Sequence, residues 1–321
     1  MNIQPASTPS GIGCRISSDC FAASVTIDGL YAAELAYLFG FERAPAFEWT
    51  QLQARGDIHI ALDAPASPAP TKQLSLDLED GQVTTSSDQP ASIRVQSHHA
   101  LRPTLFPKSL NLGLSQQWAR AGILPVHAAG IAVSGIGIMM LGGKAAGKST
   151  LAAAALVASA RVISDDWMLL GIDENGKPTM ERLRQFLMLR DCSATRALLS
   201  RQANRSFKTW SNRPKSTLAI PHKSQAFPRS HPIDQLWLIC RRVPRPEITH
   251  TARAGRQTVL PALLAQSMPI LFGQHFKTEH SRLEVMLSVC LDAGEVVEVA
   301  TGMDLVRYPT ETLGRLSAAG E

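Results

Sequence analysis

Cysteine is scarce in this chain, and its placement excludes more than its number does. The five cysteines among 321 residues (Cys14, Cys20, Cys192, Cys240 and Cys290) include no C-x-x-C pair. Neither a disulfide framework nor a zinc site is expected, and a reducing cytoplasm is the setting that fits. Cys240 and Cys290 read most simply as small core residues. Aromatic residues make up only 6% of the chain, and between 200 and 256 only Phe207, Trp210, Phe227 and Trp237 occur. That is weak support for a base-stacking platform, so nucleic acid is the least expected partner. The start, Met1-Asn2-Ile3-Gln4-Pro5, lacks a basic segment followed by an apolar one, and no signal peptide is expected from it. No uninterrupted apolar run of bilayer length occurs either. The nearest, Ile123 to Gly143, carries Pro125, His127 and several glycines. It reads as two buried strands joined at Ser134-Gly135 rather than as a membrane span.

What is present describes a globular chain, with 45% hydrophobic and 18% charged residues, enough for one large domain or two. The net charge of +5 is unevenly spread. Residues 1–126 hold 8 Lys/Arg against 11 Asp/Glu, whereas residues 200–256 hold 12 Lys/Arg against Asp234 and Glu247 alone. That basic stretch contains six prolines and reads as loops around a strand at Gln235 to Cys240. It is either a solvated surface or a docking surface for an acidic peptide, for nucleotide phosphates or for nucleic acid.

Three regions are expected along the chain. Residues 1–12, rich in Pro, Ser and Gly, read as a disordered leader. Residues 13–120 read as a small β-rich domain, with strands at Ala23 to Ile27, Ile58 to Leu62 and Leu74 to Leu78. Asp80-Gly81 then signals a hairpin into Gln82-Val83-Thr84, and Pro65 to Pro70 can only be a loop. Residues 121–321 read as an α/β domain after a helix at Leu110 to Ala121. Its expected strands are His127 to Val133, Ile136 to Leu141, Arg161 to Ser164, Trp167 to Ile172, Leu183 to Leu189, Gln235 to Cys240 and Val296 to Ala300. Its expected helices are Ser149 to about Ser159, Val259 to Gln266, Ser281 to Leu291 and Thr310 to Ala319.

The most informative residues are Gly142-Gly143-Lys144-Ala145-Ala146-Gly147-Lys148-Ser149, followed by Thr150. They fit G-x-x-x-x-G-K-[ST] between an apolar strand and an alanine-rich helix. Glycines let backbone N–H groups converge on a phosphate, and the following helix aims its positive end at the same point. Lys148 supplies a mobile charge for β- and γ-phosphates, and Ser149 an oxygen for Mg²⁺. The pattern implies a nucleoside triphosphate site. Two further features flank it: His127 lies 21 residues before Lys148, and Asp165-Asp166 ends the strand 17 residues after it. Adjacent carboxylates on a strand point to opposite sides, so one can face a metal while its neighbour faces an incoming hydroxyl.

Val126-His127-Ala128-Ala129-Gly130, the glycine loop and Ile163-Ser164-Asp165-Asp166 together resemble the catalytic domain of the HPr kinase/phosphorylase family. That family shares its fold with ATP-dependent phosphoenolpyruvate carboxykinases, and the likeness covers roughly residues 120–172. The chain looks more like the divergent members associated with lasso-peptide and other modified-peptide biosynthesis. The resemblance implies an ATP-dependent kinase acting on a serine of a peptide or small protein, such as a precursor peptide, with ATP and Mg²⁺ as cofactors. By the family's pattern Asp165 is the base, His127 tunes or shuttles its proton, Lys148 neutralises the phosphate, and Ser149 with Asp166 holds Mg²⁺. Thr150 stands where HPr enzymes carry glutamate, which leaves phosphorylase activity open, as is homo-oligomerisation. Two other readings compete: a small-molecule kinase using the same loop, and a non-catalytic, nucleotide-gated peptide-binding module.

Overall fold

Alternating apolar residues in the first third of the chain produce strands, and the glycine-punctuated second part builds sheets covered by helices. In a computed structural model the described residues are 2–8, 11–18, 21–28, 57–63, 73–78, 81–86, 91–97, 123–143, 145–165, 167–182, 186–190, 193–200, 208–210, 217–221, 230–240, 246–267 and 280–318. The chain divides into two units, residues 1–121 with 274–277, and residues 122–273 with 278–321.

In the first unit, β1 (Asn2–Thr8), β2 (Gly11–Ser18), β3 (Phe21–Asp28), β4 (Asp57–Asp63), β5 (Gln73–Leu78), β6 (Gly81–Ser86) and β7 (Ala91–Ser97) form one antiparallel sheet. Its order is β1-β2-β3-β4-β7-β6-β5. The three strands expected from the sequence lie inside β3, β4 and β5, and the Asp80-Gly81 hairpin pairs Leu78 with Gly81. The stretch expected to be a disordered leader differs: Asn2–Thr8 is extended and paired with Gly11–Ser18 along its length. Backbone pairing is available to any residue with a free N–H, and the Pro/Ser/Gly composition of 1–12 conceals it. The helix expected at 110–121 and the proline loop at 65–70 lie outside the described residues.

The second unit is organised around β9 (Ala129–Val133), β10 (Ile136–Leu141), β11 (Arg161–Ser164), β18 (Gln235–Cys240), β19 (His250–Arg253) and β20 (Glu295–Ala300), in the order β11-β9-β10-β18-β20-β19. Val133 pairs with Ile136 across Ser134-Gly135, whose φ angles of 52° and 89° are those of a primed hairpin turn. A second sheet contains β8 (Leu124–Val126), β12 (Met168–Ile172), β13 (Pro178–Arg182) and β17 (Ser230–Pro232), in the order β17-β13-β12-β8. A third joins β14 (Phe186–Arg190), β15 (Lys208–Trp210) and β16 (Thr217–Pro221). Of the strand expected at Leu183 to Leu189, residues 186–189 lie in β14 and 183–185 lie outside the described residues, while β13 was not expected.

Helices α1 (Lys148–Val157), α2 (Ser193–Leu199), α3 (Arg256–Gln266), α4 (His280–Ala293), α5 (Asp304–Arg307) and α6 (Pro309–Ala318) complete this unit. The central strands of the main sheet are buried on both faces, whereas its edge strand β19 is exposed, and strand alternation sorts the buried residues. Ile138 and Met140 pack with Leu151, Leu156, Leu305 and Leu313 on one side. Met139 and Leu141 pack with Met168, Met180, Leu263 and Leu287 on the other. Helix α1 is buried from Leu151 to Leu156 because Ala152–Ala155 keep it thin while retaining high helix propensity. No helix among the described residues is long and apolar enough to cross a membrane.

Candidate functional site

Strand β9 runs antiparallel to both β10 and β11, so its start shares a sheet edge with their ends. Ala129 pairs with Met140 and Gly130 with Ser164. The chain continues to His127 two residues before β9, to Gly142 one residue after β10 and to Asp165 one residue after β11. Neighbouring strands lie about 4.8 Å apart, so the topology brings the start of β9 and the ends of β10 and β11 to one edge, next in sequence to those residues. β18 and β20 run parallel to β10 and end at that same edge, with Cys240 paired to Ala300 and Thr301 following. In open α/β sheets this carboxyl edge is where ligands bind.

The loop after β10 leads directly into α1. Gly142 and Gly147 have φ of 152° and 124°. A Cβ on Gly142 would sit 2.6 Å from the Ile239 carbonyl oxygen, and one on Gly147 would sit 3.0 Å from Thr301 Oγ1, so the backbone approaches its neighbours as only glycine permits. The Ala146 N–H donates to Gly143 O at 3.2 Å and the Leu151 N–H to Gly147 O at 3.0 Å. Gly147 caps α1 without any side-chain hydrogen bond, and no acidic residue stands in the first turn. No side chain caps the positive end of the helix, where an anion is favoured. Lys148 is buried and folds back over the loop, its Nζ donating to Gly142 O at 2.6 Å and contacting Gly143 O at 3.4 Å. Ser149 and Thr150 are half-buried in the first turn, while Ala145 is exposed and Ala146 buried.

His127 is held from two directions. Its N–H donates to Gln266 O at 2.8 Å, and its ring Nδ1 lies 2.7 Å from Gln266 Oε1. The opposite neighbour is Trp167, with ring centroids 5.4 Å apart and planes tilted by 38°. Asp165 is buried. The Ser164 hydroxyl donates to Trp167 O at 2.7 Å, tying together the chain on either side of Asp165 and bringing this turn against His127. Lys144 and Asp166 lie outside the described residues, so half of the expected carboxylate pair carries no geometry here. Among the described residues no cluster of three or more His, Cys, Asp or Glu side chains forms a metal site. Of the expected metal ligands, Ser149 alone is described.

Several contributors escaped sequence reading. Gln266 is 139 positions from His127, and a glutamine ending an ordinary helix carries no local signal. Thr301 buttresses Gly147 from a loop fixed by Asp304. That carboxylate's Oδ1 accepts from Thr249 Oγ1 at 2.6 Å and from the Thr249 and Leu305 N–H groups at 2.9 Å, while Oδ2 meets Arg315 at 2.6 Å. In the basic stretch, much of which lies outside the described residues, Arg253 pairs with Glu295 at 3.4 Å and Arg256 with Asp292.

No family model and no curated protein matches the chain. Among solved structures it is similar to the Hpr(Ser) kinase/phosphatase from Coxiella burnetii, with 11% identity and a TM-score of 0.26, over 61% of this chain and 99% of that one. A likeness of that size leaves the functional case resting on the chain's own residues.

Proposed function

We propose that this chain is an ATP- and Mg²⁺-dependent kinase that transfers the γ-phosphoryl group to a serine hydroxyl of a peptide or small protein. The observation that most supports this reading is the loop itself: a strand, two positive-φ glycines, an uncapped helix start, and a buried lysine ammonium resting on loop carbonyls. Lys148 exchanges those carbonyls for phosphate oxygens, and the first N–H groups of α1 receive the remaining charge. Ser149 with Asp166 would hold Mg²⁺, which neutralises charge on the phosphates when bound. Asp165 accepts the proton of the serine hydroxyl as its oxygen attacks the γ-phosphorus, and the bond to the β–γ bridging oxygen breaks to release ADP. His127 lies against the Asp165 turn through Trp167 and serves as the next proton carrier. The basic 200–256 stretch seats an acidic acceptor, with a lasso-type precursor peptide as the proposed class.

Asp165→Asn keeps the shape of the side chain and removes its basicity. It is expected to lower transfer by roughly 10²–10⁴-fold while ATP binding measured by calorimetry is retained. Full activity in that variant would overturn the role of Asp165. Turnover on metabolites but not on serine peptides would favour a small-molecule kinase. ATP binding without turnover on any acceptor would favour a binding module.

A further inference from the structure

We infer that Gln266 is a positioning residue that holds neutral His127 in the Nδ1–H tautomer, leaving Nε2 as its basic nitrogen. The inference deepens the proposed role of His127 and rests on it for its catalytic consequence, but the tautomer stands on geometry alone. The amide presents its oxygen to Nδ1 at 2.7 Å, and because an amide oxygen only accepts, this orientation assigns the proton to Nδ1. The free neutral side chain prefers the opposite form, with hydrogen on Nε2, and the fold reverses that preference.

The holder is itself held. Gln266 O accepts the His127 N–H at 2.8 Å, so backbone and side chain of one residue grip backbone and side chain of the other. The next residue, Ser267, forms a bridge with Val126 and is buried, its hydroxyl donating to Leu263 O at 2.7 Å. Val259 and Leu263 anchor the helix that ends at Gln266. Trp167 bounds the ring on another side. The imidazole is thus fixed in position as well as in tautomer.

A neutral holder has a specific chemical use. Nδ1–H donates to Gln266 both when the ring is neutral and when it is charged, so a proton can arrive at and leave Nε2 without breaking the contact that orients the ring. A carboxylate in the same place would also favour the charged ring, whereas an amide orients it without adding a charge. His127 can then relay a proton between two groups while remaining in place.

The test uses the full-length protein labelled with ¹⁵N-histidine, read by long-range proton–nitrogen correlation in the neutral range of the ring. The His127 signals are assigned by their loss in His127→Asn. The wild-type protein is expected to show hydrogen on Nδ1. Gln266→Leu is expected to move the ring towards the Nε2–H form and to lower kcat tenfold or more, with KM for ATP changed less than twofold. Gln266→Glu, which keeps an acceptor at the same atom, is expected to restore the Nδ1–H signature and covers the case in which the leucine variant fails to fold. Hydrogen on Nε2 in the wild type would overturn the inference, since the amide would then be donating. An unchanged tautomer in folded Gln266→Leu would also overturn it, because another group would be setting the proton. An unchanged kcat with an altered tautomer would refute the positioning role. A wild-type protein with the Nδ1–H signature and no transfer to any acceptor would instead leave the tautomer standing and remove the kinase reading.

Discussion

Ala145 has a φ of 63°, in the left-handed region, without being glycine. That conformation costs an L-residue roughly 1–2 kcal/mol, against about 0.5–1 kcal/mol of extra chain entropy that glycine would lose on folding. Ala145→Gly should therefore raise stability by about 0.5–1 kcal/mol, seen as a rise of about 1–4 °C in the melting of the second unit. Two positions away the sign reverses. Gly147→Ala would strain a φ of 124° and press a methyl group against Thr301 Oγ1. It is expected to lower the melting temperature and to weaken ATP binding at least tenfold, about 1.4 kcal/mol, by calorimetry. Lys148→Met removes the ammonium from Gly142 and Gly143 but keeps the apolar stem. A similar loss of ATP affinity with far-UV circular dichroism unchanged is the expected result. ATP affinity equal to wild type in both variants would remove the loop from the binding site.

Strands and helices were legible where their period was strong. β10 alternates between two cores and α1 follows as an alanine-rich run, and both lie within a residue or two of the bounds expected from sequence. β17 was not legible because it is only Ser230–Pro232, held by the pairing of His231 with Met180. β13 was hidden for a different reason: its exposed turn residues blend into the Asp173–Lys177 loop, where Asp173 Oδ1 accepts the Asn175 and Lys177 N–H groups. The loop, the histidine and Asp165 are the candidate site residues that carry local patterns. The supports of the site, Gln266 and Thr301, depend on chain folding back from far downstream. Gly137 shows the same limit within one strand. A glycine in a strand reads as a weakness, yet a Cβ there would lie 1.8 Å from Pro232 O, while its N–H donates to Asp234 Oδ2 at 2.6 Å. Gly137→Ala should cost about 3 kcal/mol or more by denaturant unfolding, because backbone rather than a pliable side chain would have to move.

Taken as a whole, the second unit protects its interior chemistry well. Burial pushes the Cys290 thiol up to about 12 from 9.0. A thiol-reactive disulfide reagent at pH 8 should leave Cys290 unlabelled in the native protein and label it after unfolding, as read by peptide mass spectrometry. The linkage has a definite direction. Below about pH 9 folded and unfolded forms both keep this proton. Above it the unfolded thiol ionises first, so stability falls as pH rises from about 9 towards 12. Chemical unfolding at pH 8 and pH 10.5 checks this, and a Cys290→Ala variant should show a shallower decline.

The buttress that Thr301 gives to Gly147 also fixes an order in time. At about 5–20 residues per second a ribosome takes roughly 8–30 s to travel from position 147 to position 301. During that interval the glycine loop has emerged without its rear support, and without the Asp304–Arg315 clamp that secures it. If the loop holds nucleotide as proposed, nascent chains stalled before residue 301 are expected to retain none, as read by photo-crosslinking to labelled ATP.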